Sequence, residues 1–283
     1  MTNTSKGCLY LVGTPIGNLE DITLRALRIL GEVDHIAAED TRHTLKLLNH
    51  YNISKPLISY HEHNKREKGP EIISMVQEGL QVAVVSDAGM PGISDPGADL
   101  VILAHEAEVP VTIIPGPSAV LSALVLSGLS TESFAFEGFL PREKKLREER
   151  LRKLKLEERT IILYEAPHRL RSLLEDMAQF IGDRKISIVR ELTKLHEEVL
   201  PMSLEEAISY YQEVTPRGEF VLVMEGQLQD LLQKDFSDIS IEDHLRDYIS
   251  SGISKKEAVK QVAKDRNLPK SQVYPFSIGL ELE

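Results

Sequence analysis

Cysteine and tryptophan are nearly absent: Cys8 is the only thiol among 283 residues, and there is no Trp. A single thiol excludes a disulfide framework within the chain, and it excludes a cysteine-built zinc or iron–sulfur centre. No apolar run approaches the roughly 18 residues that span a bilayer. The N-terminal MTNTSKGCLYLVG lacks the basic stretch and long apolar core of a secretory leader, so a cytoplasmic protein away from membranes is expected. Two nucleotide-binding signatures are missing as well. GTPIGN (13–18) is not G-x-G-x-x-G, and no G-x-x-x-x-G-K-[ST] occurs, which demotes nicotinamide dehydrogenases and P-loop enzymes. Positive charge is in deficit: 33 Lys and Arg against 44 Asp and Glu leave −11, which taken alone argues against a nucleic-acid partner.

What is present is globular. Apolar residues make up 42% and charged residues 27%, enough apolar material for a sizeable core. The length is about twice that of one domain, so two domains are expected. The charge is also uneven. Residues 141–159 hold nine basic and five acidic side chains, and residues 254–270 hold six and two, net +4 in each. A solvated helix face explains either alone; two such regions in an acidic chain make local phosphate contact more plausible.

Short apolar runs alternate with segments of helical spacing. Strands are expected at 8–13, 35–40, 56–61, 81–87 and 110–116, with helices at 23–33, 41–51, 70–79, 95–108 and 117–128, the last an apolar stripe expected to be core. The alternation restarts with strands at 133–140, 159–165, 185–191 and 218–225 and helices at 167–182 and 203–212; the basic 141–159 is a helix or loop. The fold class is therefore α/β: two three-layer αβα domains with mostly parallel sheets, over 1–117 and 118–232. Residues 233–283 read as three short helices, a helical appendix with helix-turn-helix spacing. The final LELE carries no functional expectation.

Ligands of open α/β sheets bind beyond the carboxyl ends of the strands. The loops there are GTPIGN, EDTR (39–42), HEHN (61–64), SDAGMPGISDPG (86–97), PGPSA (115–119) and EAPHR (165–169). Glycine lets backbone approach a ligand and proline fixes the loop. Within SDAGMPGISDPG, Asp95–Gly97 reads mainly as the cap of the next helix, and the first half as ligand wall. Asp40 is as readily a helix cap as a catalytic group. His61 and His63 lack an obvious third ligand, and no metal is expected.

LYLVGTPIGNLEDIT, AEDTR, SDAGMPGISDPG, IPGPSAV, YEAPHR and RGEFVLV, in this order, resemble the ribosomal small-subunit RNA (cytidine-2′-O)-methyltransferases of the tetrapyrrole (corrin/porphyrin) methylase superfamily. The resemblance runs from about residue 8 to 226 and into the appendix; the tail PFSIGLELE departs from it. It implies S-adenosylmethionine in a cofactor cleft between the domains, a homodimer, and as partner 16S ribosomal RNA or the small ribosomal subunit, methylated on the ribose 2′-oxygen of a decoding-centre cytidine. Carried over by position, the cofactor contacts would be Thr14, Pro15, Asp87, Ala88, Gly89, Ile93, Ser94, Ser118, Ala119, Glu165, Ala166 and Pro167.

Methyl transfer from a sulfonium is an in-line displacement with a neutral leaving group, so alignment matters most, supplying roughly 7–11 kcal/mol. A base acting on the weakly nucleophilic hydroxyl adds about 10²–10⁴ in rate. Asp40, His61, His168 and Glu191 are the candidates, with no choice among them. Phosphate contacts are expected from Arg42, Arg142, Lys144, Lys145, Arg169, Lys255 and Lys256. Two alternatives stand beside this: a tetrapyrrole methyltransferase on the same fold, and a non-enzymatic nucleic-acid regulator using the appendix.

Overall fold

The structure is a computed structural model that describes residues 7–227, 236, 239–266, 268–278 and 280. The chain divides into two compact units, one up to Gly226 and one from Gln227. The first unit holds two five-stranded sheets.

The first sheet contains β1 (Cys8–Val12), β2 (His35–Ala38), β3 (Leu57–Ser59), β4 (Gln81–Val85) and β5 (Val111–Ile114), in the order β3-β2-β4-β1-β5. Every pairing is parallel. Parallel neighbours need crossovers, here α1 (Leu24–Glu32), α2 (Thr41–His50), α3 (Lys65–Gln77) and α4 (Gly97–Glu106). Helices on both faces bury the strands on both sides, which is why QVAVV is almost unbroken in its apolarity. Alternate residues feed two cores. Val12, Ile36, Ala83 and Val85 pack under α1 and α2; Leu11, Ala37, Val82 and Val84 pack under α3 and α4.

The next helix, α5 (Ala119–Leu126), packs Val120, Ala123 and Leu124 against Ile162, Val189, Val221 and Val223 of the second sheet. Only half of its apolar stripe is core, contrary to expectation. Leu121, Val125 and Leu126 are exposed, Val125 at 72%. A helix apolar all round does not say which face is covered.

The second sheet comprises β6 (Phe134–Phe139), β7 (Thr160–Glu165), β8 (Lys185–Arg190), β9 (Glu198–Ser203) and β10 (Phe220–Met224), in the order β6-β7-β10-β8-β9. The expectation of a mostly parallel sheet fails here. Only β6 and β7 run parallel; β10 inserts antiparallel between β7 and β8, and β8 and β9 form a hairpin. Strand β9 escaped the reading because EVLPMS carries Pro201 and no apolar alternation, features of an edge strand. The basic segment forms α6 (Lys144–Leu154), followed by α7 (Pro167–Phe180) and α8 (Leu204–Glu213), all packed over Leu163, Ile188 and Leu222.

A capping box fixes the start of α8: the Ser203 hydroxyl accepts the Glu206 N–H at 3.2 Å, and Glu206 accepts the Ser203 N–H at 2.7 Å. Ser203→Ala is expected to lower stability by about 1 kcal/mol, read as a shifted urea midpoint with unchanged slope. A midpoint equal to that of the parent chain would contradict it.

The second unit packs α9 (Ile241–Ser250), α10 (Lys255–Asp265) and α11 (Lys270–Ser277) around Leu245, Val259, Val262 and Val273. The expected boundary at 232/233 and residues 281–283 of the tail lie outside the described residues. Among the described residues, no helix is long and apolar enough to cross a membrane.

Candidate active site

The loops at the carboxyl edge of the first sheet are joined to one another. The Thr14 N–H donates to the Gly89 carbonyl at 2.9 Å and the Gly89 N–H to the Thr14 carbonyl at 3.1 Å. This short antiparallel bridge ties the loop after β1 to the loop after β4. The loop after β5 meets the first backbone to backbone: a Cβ on Gly13 would lie 2.8 Å from Gly116 Cα. Gly89 holds φ +80°, open to glycine at no steric cost. Further along, the Asp95 carboxylate accepts the Gly92 N–H at 2.8 Å and the Gly97 N–H at 2.7 Å, which closes the second half of SDAGMPGISDPG into the entry of α4.

These loops and the second sheet enclose a cavity of about 480 Å³. Asp87, Ala88, Gly89, Ile93 and Ser94 come from the loop after β4, Ser118 and Ala119 from the start of α5, and Glu165, Ala166 and Pro167 from the β7–α7 junction. Ile16, Phe139, Tyr164, Leu192 and Val221 give it an apolar wall. Thr14 and Pro15 instead line a second cavity of about 480 Å³, which shares Ile16, Ser86, Asp87, Ala88 and Glu219 with the first.

The first cavity is acidic. Glu39, Asp87, Asp95, Glu165 and Glu219 line it, and among the described residues no Lys, Arg or His does. The Glu165 side chain is fully buried; Oε1 accepts the Ala166 N–H at 2.8 Å and lies 3.3 Å from Arg169 Nε. Its other oxygen, Oε2, has no hydrogen-bond partner among the described residues. Burial pushes the Glu165 carboxyl above its ordinary pKa, against the pull of the Ala166 N–H and Arg169. Glu39 is raised too, by burial first and then by the charges of Asp87, Asp95 and Glu62. Glu39 was missed in the sequence because Asp40 beside it drew the argument. Reading Asp40 as the cap of α2 would have left Glu39 as the free carboxylate.

Asp40 is that cap. Its Oδ1 accepts the Arg42 N–H at 2.9 Å, and the Arg42 guanidinium bonds both oxygens at 3.2 and 3.0 Å. The Arg42 side chain, then its backbone N–H, holds Asp40 down at about 2, a weak base. Glu191 sits at φ +51° and accepts Lys194 Nζ at 3.0 Å and the Glu219 N–H at 2.9 Å, anchoring the loop that precedes β10. Despite burial, Lys194 and that N–H keep its pKa below the ordinary value. His168 is exposed on α7, and His61 lies half-buried beside His63, ring centroids 5.9 Å apart. None of these four lines either cavity.

The expected phosphate-binding residues divide in a similar way. Arg42, Arg142, Lys144 and Lys145 are exposed, and among the described residues only Arg42 of these is engaged in an ion pair. Lys255 and Lys256 are exposed on α10, with Lys255 Nζ 3.1 Å from the Leu280 carbonyl. Arg169 turns inward, holding Glu165 and the Leu140 carbonyl at 2.8 Å. Part of the basic run 141–159 is tied into the fold by ion pairs, as in Arg147–Asp176 and Arg150–Glu137 at 2.7 and 2.6 Å.

A family model for tetrapyrrole (corrin/porphyrin) methylases matches residues 8–208, which hold the first sheet and β6 to β9 of the second. The chain belongs to that family. This methylase is 52% identical over 271 residues to ribosomal RNA small subunit methyltransferase I of Halalkalibacterium halodurans, covering 95% of this chain and 94% of the relative. The protein of the same name from Synechocystis sp. is 48% identical, with 98% and 99% covered. The one from Thermotoga maritima is 52% identical over 221 residues, 78% of this chain and 99% of the relative. Among solved structures, the methyltransferase CobJ aligns with TM-score 0.60 at 19% identity, over 78% of this chain and 94% of its own. A uroporphyrin-III-C-methyltransferase from Thermus thermophilus aligns with TM-score 0.55 at 22% identity, over 77% and 94%. At those identities the two structures establish the methylase fold alone.

Proposed function

We propose that this chain is an S-adenosylmethionine-dependent methyltransferase acting on small-subunit ribosomal RNA, at the ribose 2′-oxygen of a decoding-centre cytidine. The observation that carries the cofactor is the acidic first cavity with its orphaned Glu165 Oε2. S-adenosylmethionine carries a sulfonium and an ammonium against one carboxylate, so a cavity lined by five carboxylates and, among the described residues, by no Lys, Arg or His suits it, even with Glu165 paired to Arg169 and Glu219 to Lys194. Its volume of about 480 Å³ lies within the roughly 300–1,000 Å³ of small-molecule sites. Phe139, Tyr164 and Leu192 offer apolar surface to a purine, and Glu165 Oε2 offers an acceptor to a ligand N–H or O–H.

When bound, the cofactor supplies an electrophilic methyl group and a neutral leaving thioether. The chain's own work is to align the acceptor oxygen and shield the site. The Gly13–Gly116 contact and the Thr14–Gly89 bridge fix the loops that do this, and fixed alignment is worth roughly 7–11 kcal/mol. We divide the first unit at 117/118, which puts the cofactor between the two sheets, and we read the protein as a cytoplasmic homodimer. The uncovered Leu121, Val125 and Leu126 of α5 favour a second copy as the cover. Arg142, Lys144, Lys145, Lys255 and Lys256 would position RNA phosphates. The names of the relatives at 48–52% identity favour RNA over a tetrapyrrole acceptor.

The test offers two acceptors side by side. With labelled S-adenosylmethionine, label should pass to small ribosomal subunits, or their RNA, from a strain lacking this gene, and not to uroporphyrinogen. Label on the tetrapyrrole alone would overturn the reading.

A further inference from the structure

The two cavities differ in charge although they share a wall. The first has five carboxylates and, among the described residues, no cation; the second adds His43, Lys46 and Lys194 to the shared Asp87 and Glu219. Lys194 is held by Glu191 and Glu219, each at 3.0 Å. Lys46 and His43 are exposed and in no ion pair among the described residues. They stand three residues apart on α2, a spacing that puts both on one face of a helix. An anion therefore meets repulsion in the first cavity and two uncommitted nitrogen-bearing side chains in the second.

Of the five residues in the shared wall two carry carboxylates, Glu219, which holds Lys194, and Asp87. Asp87 Oδ1 accepts the Asp40 N–H at 2.9 Å, which fixes the side chain. Its Oδ2 accepts no hydrogen bond among the described residues, and the residue lines both cavities. A group at that position can touch a donor in one chamber and an acceptor in the other.

We propose that the second cavity is the acceptor subsite: it takes a single ribonucleotide, with a flanking phosphate against Lys46 and His43, and Asp87 Oδ2 receives the hydroxyl proton. This rests on the methyltransferase reading above. In the transfer, the ribose O–H proton passes to the Asp87 carboxylate as the oxygen bonds the methyl carbon. The carbon–sulfur bond breaks with its electron pair going to sulfur, and Asp87 later returns the proton to water. An unstacked nucleotide is the form in which RNA can enter a chamber of this size.

Lys46→Ala and His43→Ala, in the full chain, should each raise the KM for small-subunit RNA by about tenfold. Neither should move kcat or S-adenosylhomocysteine affinity by more than a small factor. Lys46→Ala should also lower the salt dependence of RNA binding by about one phosphate contact. Asp87→Asn keeps an oxygen for the Asp40 N–H and should lower kcat by about 10²–10⁴ with cofactor affinity largely retained. Unchanged RNA KM in both α2 variants would overturn the phosphate assignment, and an unchanged kcat in Asp87→Asn would overturn the proton assignment. If the parent chain itself methylates no RNA, the functional reading has failed and the subsite falls with it. If the parent is active and the variants match it, only the subsite is wrong.

Discussion

Replacing Glu165 by Gln is expected to weaken S-adenosylhomocysteine binding by roughly 10- to 150-fold, the equivalent of about 1.5–3 kcal/mol for a hydrogen bond to a charged group. Gln keeps an oxygen for the Ala166 N–H, and Arg169 keeps the Leu140 carbonyl. What changes is Oε2, buried and without a hydrogen-bond partner among the described residues, which in Gln becomes a donor and so would oppose a ligand N–H or O–H. The fold should not suffer. Burial raises the carboxyl of Glu165, so the native state binds more protons than the unfolded chain at pH values above the ordinary carboxylate pKa. Stability therefore falls as pH rises from there through the folded pKa, and the buried charge weighs against the fold at neutral pH. Gln removes that cost, so the variant should be at least as stable as the parent at pH 7, an advantage that vanishes below the unfolded pKa. Calorimetric titration and urea unfolding at two pH values check both parts; unchanged affinity would remove Glu165 from the cofactor site.

Gly13→Ala should be more damaging still. The added Cβ would lie 2.7 Å from Met90 Sδ, 2.8 Å from Gly116 Cα and 2.9 Å from Gly116 N. The sulfur can move, but the Gly116 backbone carries the loop into α5 and cannot give way without moving Ser118 and Ala119. Overpacking of this kind costs about 1–3 kcal/mol. The displaced loops also lose alignment, and a shift of about 1 Å can cost 10² in rate. The expectation is a lowered unfolding midpoint together with at least a hundredfold loss of turnover. Gly31→Ala is the control: nothing lies within 4 Å of its added Cβ, and it sits in α1. There Ala should stabilise by about 0.5–1 kcal/mol. If Gly13→Ala behaves like Gly31→Ala, the loops after β1 and β5 are not packed as described.

What could be read from the chain was local. Unbroken apolarity in QVAVV marks a strand covered on both faces, and the Gly/Pro loops mark the carboxyl ends of strands in both sheets, where residues of SDAGMPGISDPG and EAPHR line one cavity. What could not be read was long-range. Nothing in GEFVLVME says that β10 slots antiparallel between two strands formed earlier, and β9 hides behind Pro201. The apolar faces of α5 look alike until the second sheet covers one of them. Lys46, Lys194 and Asp87 are far apart in sequence, and only the topology places them around one chamber. Strand-end reading favoured the residues with conspicuous chemistry, Asp40 and Glu191. The fold uses both as local anchors, while the plainer Glu39 and Glu219 line the first cavity.

The most direct measurement follows the methyl group to its atom. Small-subunit RNA labelled by this protein with S-adenosylmethionine is digested to nucleosides and the labelled one identified. The account predicts a single labelled product, cytidine methylated on its ribose 2′-oxygen. Label on a base carbon or nitrogen, or no label on RNA at all, would contradict it.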